Sequence, residues 1–285
     1  MTNLIRAEAL KIRTTNTWWL FGLGTFLFTA AALVVNIIQA HLYLTVRPQI
    51  PPGASAEQAQ QIREQLAARD DVAGEAASIF TSGQYFGLLL VMLLAMLVIT
   101  NEFFHQTATT TFLATPRRTR VITAKLITVA LASVVFWALS LVMNLVAGSI
   151  YLDADGFSPH LGDWPVWRAI LLNLMAYVIW AVFGVGLGVL IRSQIGAVVT
   201  GTVLYLVGTS AAQVVFFVIH EFWIKQDWVL TAQVVVPSIA SQIMISVIKL
   251  YPQSPAQWVG AAVLIGYGVV FGVIGVLITR RRDIT

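Results

Sequence analysis

Six stretches of the chain contain no Asp, Glu, Lys or Arg: Thr14–Val46, Ala76–Asn101, Leu126–Leu152, Ala169–Ile191, Ser193–His220 and Leu250–Thr279. Each is at least 23 residues long, and about 20 residues of α-helix cross a hydrocarbon core. Backbone groups in lipid must find partners within their own segment or in a closed barrel, and runs this long and apolar exceed barrel strands. The chain is therefore expected to be an all-α polytopic membrane protein with six transmembrane helices. Composition agrees: 58% of the 285 residues are hydrophobic and only 11% are charged, where a soluble domain carries about a quarter.

The charges that remain are sorted by side. With the N-terminus inside, eleven basic residues and three acids (Glu8, Glu102 and Asp283) fall on the inner face, leaving six basic residues and ten acids outside. Basic residues near span ends set orientation, so both termini are expected in the cytoplasm. The same asymmetry accounts for a pI near 9.6 without a nucleic-acid partner. The first apolar run is too long for a cleavable signal peptide and ends without a small-residue cleavage site. No cysteine is present, which excludes disulfide and thiol chemistry.

The segments flanking the spans divide what reads as a single domain, 1–285. In "MTNLIRAEALKIRTTN", residues 1–16, Leu4, Ile5, Ala9 and Ile12 fall on one side of a helix, with Arg6, Lys11 and Arg13 around the rest. That pattern suits a helix lying in the inner interface against anionic headgroups. Residues 47–78 form an outer insertion that opens with "RPQIPPG" and continues as a helix-forming Ala/Gln/Glu/Arg segment. Ser55 and Gln58 have the spacing of a capping box. Between the fifth and last spans, residues 221–249 carry a hydrophobic piece split by Pro237. A seventh crossing there would put Arg280, Arg281 and Arg282 outside, so short re-entrant helices dipping into the outer leaflet are expected instead.

Catalytic chemistry has few materials here. There is no HExxH and no Walker A sequence, and the six apolar cores hold no charged residue. "FGVGLGVLIR" resembles a nucleotide loop only in its glycines and lacks the Lys-Ser/Thr ending; Gly184 and Gly188 have the small-xxx-small spacing that lets helices approach closely. Asn36, Gln39, Asn144, Asn173, Ser210 and Gln213 lie within the apolar runs. They either line a route for an amphipathic molecule or hydrogen-bond between helices. No ion-coupled machinery is evident, so transport would need an outside energy source.

Residues 102–120 are the unusual inner segment. Glu102 ends the second span, Thr107–Phe112 reads as a short threonine-rich helix, and Pro116 breaks it ahead of Arg117, Arg118 and Arg120. It is either a positive-inside loop or a short element, tied to two spans, on which a cytosolic motor pushes. Three features together resemble the membrane subunit of exporters in the ABC-2 permease family. These are "LIRAEALKIRTTNTWW", similar to that family's elbow helix; "NEFFHQTATTTFLATPRRTRVITAKL", similar to its inner coupling loop; and six spans with short outer helices before the last.

The resemblance implies that Glu102, Thr107, Thr109, Thr110, Phe112, Arg117, Arg118 and Arg120 form the coupling region that meets the ATPase. Gln106 stands where related chains often have glycine, which alters the turn. The resemblance further implies a cytosolic ABC ATPase dimer that binds ATP and Mg, and a second permease subunit, with no cofactor held by this chain. It places the chain in a prokaryotic plasma membrane, among membrane lipids. Drug or lipid export is the expected activity; a non-transporting structural or signalling subunit and an autonomous secondary carrier are the alternatives. Because the chain lacks cysteine, single introduced cysteines test the orientation: probes at Ser55 and Pro159 should label from outside, whereas Thr119 and Thr285 should not. External labelling at Thr285 would refute this topology.

Overall fold

The computed structural model describes residues 1–45, 72–106, 118–191, 193–251 and 253–281, plus four isolated positions between 51 and 60; for residues 118 and 279–281 it describes the backbone alone. Ten α-helices occur among the described residues, and no strand. They are α1 (Thr2–Thr14), α2 (Thr17–Thr45), α3 (Val72–Phe80), α4 (Gln84–Phe104), α5 (Arg118–Ala154), α6 (Trp164–Leu190), α7 (Gln194–Val218), α8 (Asp227–Thr231), α9 (Pro237–Ile245) and α10 (Gln257–Arg281). A π-helical turn, Ile219–Trp223, prolongs α7, and a 3-10 turn, Ala232–Val235, prolongs α8. Six helical segments are long and apolar enough to cross a membrane, α3 and α4 together making one.

α4 and α6 form the centre. Leu88, Val91, Met92, Ala95 and Met96 of α4 are buried, as are Ala169, Ile170, Tyr177, Trp180 and Val185 of α6. α2, α7 and α10 surround them and bury little, turning Phe26, Val34, Val203, Val207, Val269 and Val273 outward. Water would penalise such surfaces, but lipid tails accept them. The burial is accordingly inverted for polar groups, and small hydroxylated side chains sit between helices. Thr29 Oγ1 lies 3.1 Å from Ser140 Oγ, Thr209 Oγ1 2.6 Å from Ser238 Oγ, and Trp180 Nε1 donates to Ser241 Oγ at 2.7 Å. Tryptophans mark one end of the bundle: Trp164, Trp223, Trp228 and Trp258 are all strongly exposed there, as in an aromatic belt.

Two departures from the sequence-based expectation position the sites. The boundary of the insertion falls earlier than residue 78, because Val72–Phe80 is already helical and buries Ala76, Ala77, Ile79 and Phe80. Next, the second span is broken. Thr81–Gly83 interrupts it, with Gly83 at φ +79°, a backbone region costly for residues with a Cβ. Asn144 of α5 closes the break by donating from Nδ2 to the carbonyls of Phe80 (3.2 Å) and Ser82 (2.9 Å), so carbonyls freed by the interruption keep partners. Near Pro237 the expected split is present: the segment Asp227–Val235 meets α9 at a bend of 100°. α9 is almost wholly buried, and Ser241 reaches Trp180, more than halfway along α6.

Gly184 explains why the two central helices can touch. A Cβ added there would lie 2.4 Å from the Met92 carbonyl oxygen, whereas one at Gly188 would lie 3.1 Å from Met96 Cα. Gly184→Ala should force α4 and α6 apart and cost about 1–3 kcal/mol. Gly266→Ala, on an open face of α10 with nothing within 4 Å, should leave stability unchanged. Thermal unfolding of both variants in one detergent checks the contrast; equal midpoints would contradict it.

Candidate functional site

At the end of the bundle that carries α1, four charged side chains from three helices close on one another. Glu8 and Lys11 stand one turn apart on α1 and make an ion pair of 2.8 Å through Glu8 Oε1. Lys11 Nζ also reaches Glu102 Oε1 on α4 at 2.7 Å. Lys125 of α5 completes the ring, with its Nζ 2.7 Å from Glu8 Oε2 and 2.7 Å from Glu102 Oε1. The side chains of Lys125, Glu8 and Glu102 are only 4%, 6% and 9% exposed, while Lys11 is about half exposed at 47%. Two acids and two bases leave no net charge, which is what makes their burial tolerable.

Glu8 is the one buried residue of α1. Leu4, Ile5 and Ile12 of the expected apolar stripe are half-buried and Ala9 is exposed. The helix is thus docked chiefly by charge. Burial works to raise the Glu8 carboxyl, but the Lys125 charge and hydrogen bonds from Lys11 and Lys125 outweigh it and hold the carboxyl below its ordinary value of 4.5. For Lys11, burial works to lower the ammonium, yet hydrogen bonds to Glu102 and Glu8 raise it above 10.5. The signs define a window. A depressed carboxyl stabilises fully above 4.5 and loses its effect as pH falls through the lowered value; a raised ammonium stabilises fully below 10.5 and loses its effect as pH rises through the raised value.

A cavity of about 440 Å³ opens on the ring itself, lined by Glu8, Lys11 and Glu102 together with Ile12 of α1, Thr15 just beyond it, Leu94, Leu97 and Val98 of α4, and His105. At the opposite end, a larger cavity of about 590 Å³ lies between α2, the break before α4 and the segment following α9. There His41 Nδ1 meets Asp155 Oδ2 at 2.6 Å, and the His41 hydrogen bond holds the Asp155 carboxyl below its ordinary value of 3.8.

The residues singled out in the sequence separate into groups. Thr107, Thr109, Thr110, Phe112 and Arg117 lie outside the described residues; Arg118 begins α5, and Arg120 is exposed five residues before the buried Lys125. Glu102 is engaged within the bundle by two lysines. Asn36 and Gln39 line the larger cavity. Asn36 Nδ2 donates to Ser82 Oγ at 2.8 Å, and Asn144 holds the break. Asn173 is buried in α6, its Oδ1 without a partner among the described residues. Ser210 donates to its own helix at Leu206 and is exposed, as is Gln213.

Sequence reasoning takes Glu8 as a topological charge and Lys11 as a topological charge and headgroup contact, and does not join them to Glu102 and Lys125. The signal was present: a lone acid inside a basic segment, and single charges at the edges of two uncharged runs, each requiring a counter-charge on entering a bundle.

These features define a multi-pass helical membrane protein with a charge-neutral ion-pair ring at one end. The chain belongs to a family described as proteins of unknown function (DUF2705), whose model matches residues 65–285. No curated protein matches the chain. The matched region contains Glu102 and Lys125, while Glu8 and Lys11 precede it.

Removing one member strands a buried charge. Lys125→Met should destabilise the bundle by about 3–5 kcal/mol, and adding Glu8→Gln should recover part of the loss. A fluorophore on a cysteine at the exposed Leu10 should report α1 docked between pH 4.5 and 10.5 and released below that range. Docking unaffected by Lys125→Met would refute the ring as the anchor of α1.

Proposed function

We propose that this chain is the membrane subunit of an ATP-driven exporter of the ABC-2 kind, with a separate cytosolic ATPase dimer binding ATP and Mg. The supporting observation is the placement of the ring. Glu102 lies in the last turn of α4 and Lys125 in the second turn of α5, on either side of residues 107–117, and both close on α1. A force applied to the intervening segment is therefore shared among three helices. The ring makes Glu102 an anchor of that linkage rather than a contact offered to the ATPase. Thr107, Thr109, Thr110, Phe112, Arg117, Arg118 and Arg120 remain the proposed contact set.

Both termini face the cytoplasm of a prokaryotic cell in this proposal, and α1 lies along the inner interface. A second permease subunit, a copy of this chain or a related one, completes the pathway. Ser210 and Gln213 are polar and exposed on a helix whose other exposed residues, Thr200 aside, are apolar, which suits a face turned to protein or to a pathway better than one turned to lipid. The cavity at the ring sets the apolar Ile12, Leu94, Leu97 and Val98 beside charged Glu8, Lys11 and Glu102, which favours a hydrophobic or amphipathic cargo such as a drug or lipid. Buried carboxylates are the one feature that speaks for an ion-driven carrier, and their pairing speaks against it. Glu8 is held ionised, below the pH range in which a proton carrier cycles.

Phe112→Ala should weaken ATPase recovery by roughly thirtyfold if this side chain is an interface anchor worth about 2 kcal/mol, with membrane insertion intact. Cysteines at Thr110 and on the ATPase should crosslink in the reconstituted complex. Recovery of no ATPase, with transport following an ion gradient, would overturn the proposal.

A further inference from the structure

The larger cavity, at the end opposite the ring, has a lining at odds with a purely hydrophobic cargo. Its volume of about 590 Å³ lies within the range of about 300–1,000 Å³ common for small-molecule sites. Four carboxamides border it, Asn36 and Gln39 from α2, Gln84 from the start of α4 and Gln242 from α9, together with Ser78 and Ser82. Glu75 and Lys249 are the charged residues among the lining, one of each sign. Tyr43, Tyr85 and Phe86 add aromatic surface.

One polar group points to an occupant. Gln84 lines the cavity, and its Nε2, turned away from the open volume, has no hydrogen-bond partner among the described residues, so turning the carboxamide toward an occupant would break no bond made by that nitrogen. Leaving such a donor unpaired costs about 1–3 kcal/mol, so a sequence that needed only structure here would do better with Met or Leu.

Carboxamides present a donor and an acceptor on one planar group, which matches hydroxyls, themselves both donor and acceptor. A lining without net charge discriminates against a strongly ionic headgroup, whose desolvation it would not repay. Aromatic faces complement the C–H faces of a sugar ring. We propose that this cavity binds a neutral, polyhydroxylated group: a saccharide, either free or as the headgroup of a glycolipid. The site does not depend on the exporter assignment or on the orientation of the chain.

The test uses the full chain in lipid nanodiscs, which expose both faces of the membrane. Ser78, exposed at the rim, is replaced by the only cysteine, and its rate of modification by a small methanethiosulfonate is followed. Maltose in solution and a diglucosyl diacylglycerol in the bilayer are the two probes, against phosphatidylcholine and phosphatidylglycerol discs. Protection of Ser78→Cys by either probe is the expected result; glycolipid alone identifies a lipid headgroup, and maltose alone a soluble saccharide.

Gln84→Met, which removes the unpaired donor at similar volume, should retain the thermal midpoint or raise it. Combined with Gln242→Leu it should weaken protection about tenfold, the equivalent of one to two hydrogen bonds. Absence of protection by both probes, equal protection in phosphatidylglycerol discs, or protection unchanged in the double variant overturns the proposal and leaves a solvent-filled cavity.

Discussion

In lipid, apolar side chains gain nothing by meeting one another rather than acyl chains, so helices need another reason to associate. Here that reason is close approach. Gly184 and Gly188 bring α6 onto the backbone of α4, and dispersion across this seam sets the axis around which the other spans are placed. Hydroxyl and indole hydrogen bonds, Thr29 to Ser140, Thr209 to Ser238 and Trp180 to Ser241, then fix the positions of α2, α7 and α9. Each bond would be worth little in water, but at a dry interface an unmade one is costly.

Charge is admitted to this bundle only when cancelled. The Glu8, Lys11, Glu102 and Lys125 ring achieves this with one member of α4, one of α5 and two of α1. The consequence is a segregation of forces along the membrane normal. Packing holds the middle, and electrostatics holds the end where α4 finishes and α5 begins. Electrostatic contacts can be remade at modest cost as geometry changes, whereas interdigitated cores resist small displacements. That division places the adaptable joint beside the segment proposed to meet the ATPase.

Spans were legible because membrane helices declare themselves by what they exclude. The charge-free runs anticipated α2, α5, α6, α7 and α10, and Pro237 marked the bend before α9. Gly184 and Gly188 stood out by spacing, and the structure places both against α4. The break in the second span was hidden because Thr81, Ser82 and Gly83 carry no charge, although Ser-Gly is a recognised turn signal. The ring was hidden for a different reason. Its members are separated by 91 and 117 positions, and no local pattern joins such residues. Single-sequence periodicity reports which side of a helix faces protein, but it does not report which other helix is there.

The break before α4 has a mechanical consequence. Its 21 residues form an element roughly 30 Å long, separated from α3 by the break at one end and tied into the ring through Glu102 at the other. Asn144 of α5 secures the upper joint at Phe80 and Ser82, and Lys125, also of α5, secures the lower joint at Glu102. α4 and α5 thereby form two sides of a braced frame. α4 cannot slide along its own axis without breaking both braces or carrying α5 with it. One helix, α5, thus sets the position of both ends of α4: the end that carries Glu102 and the end that puts Gln84 and Tyr85 in the wall of the larger cavity.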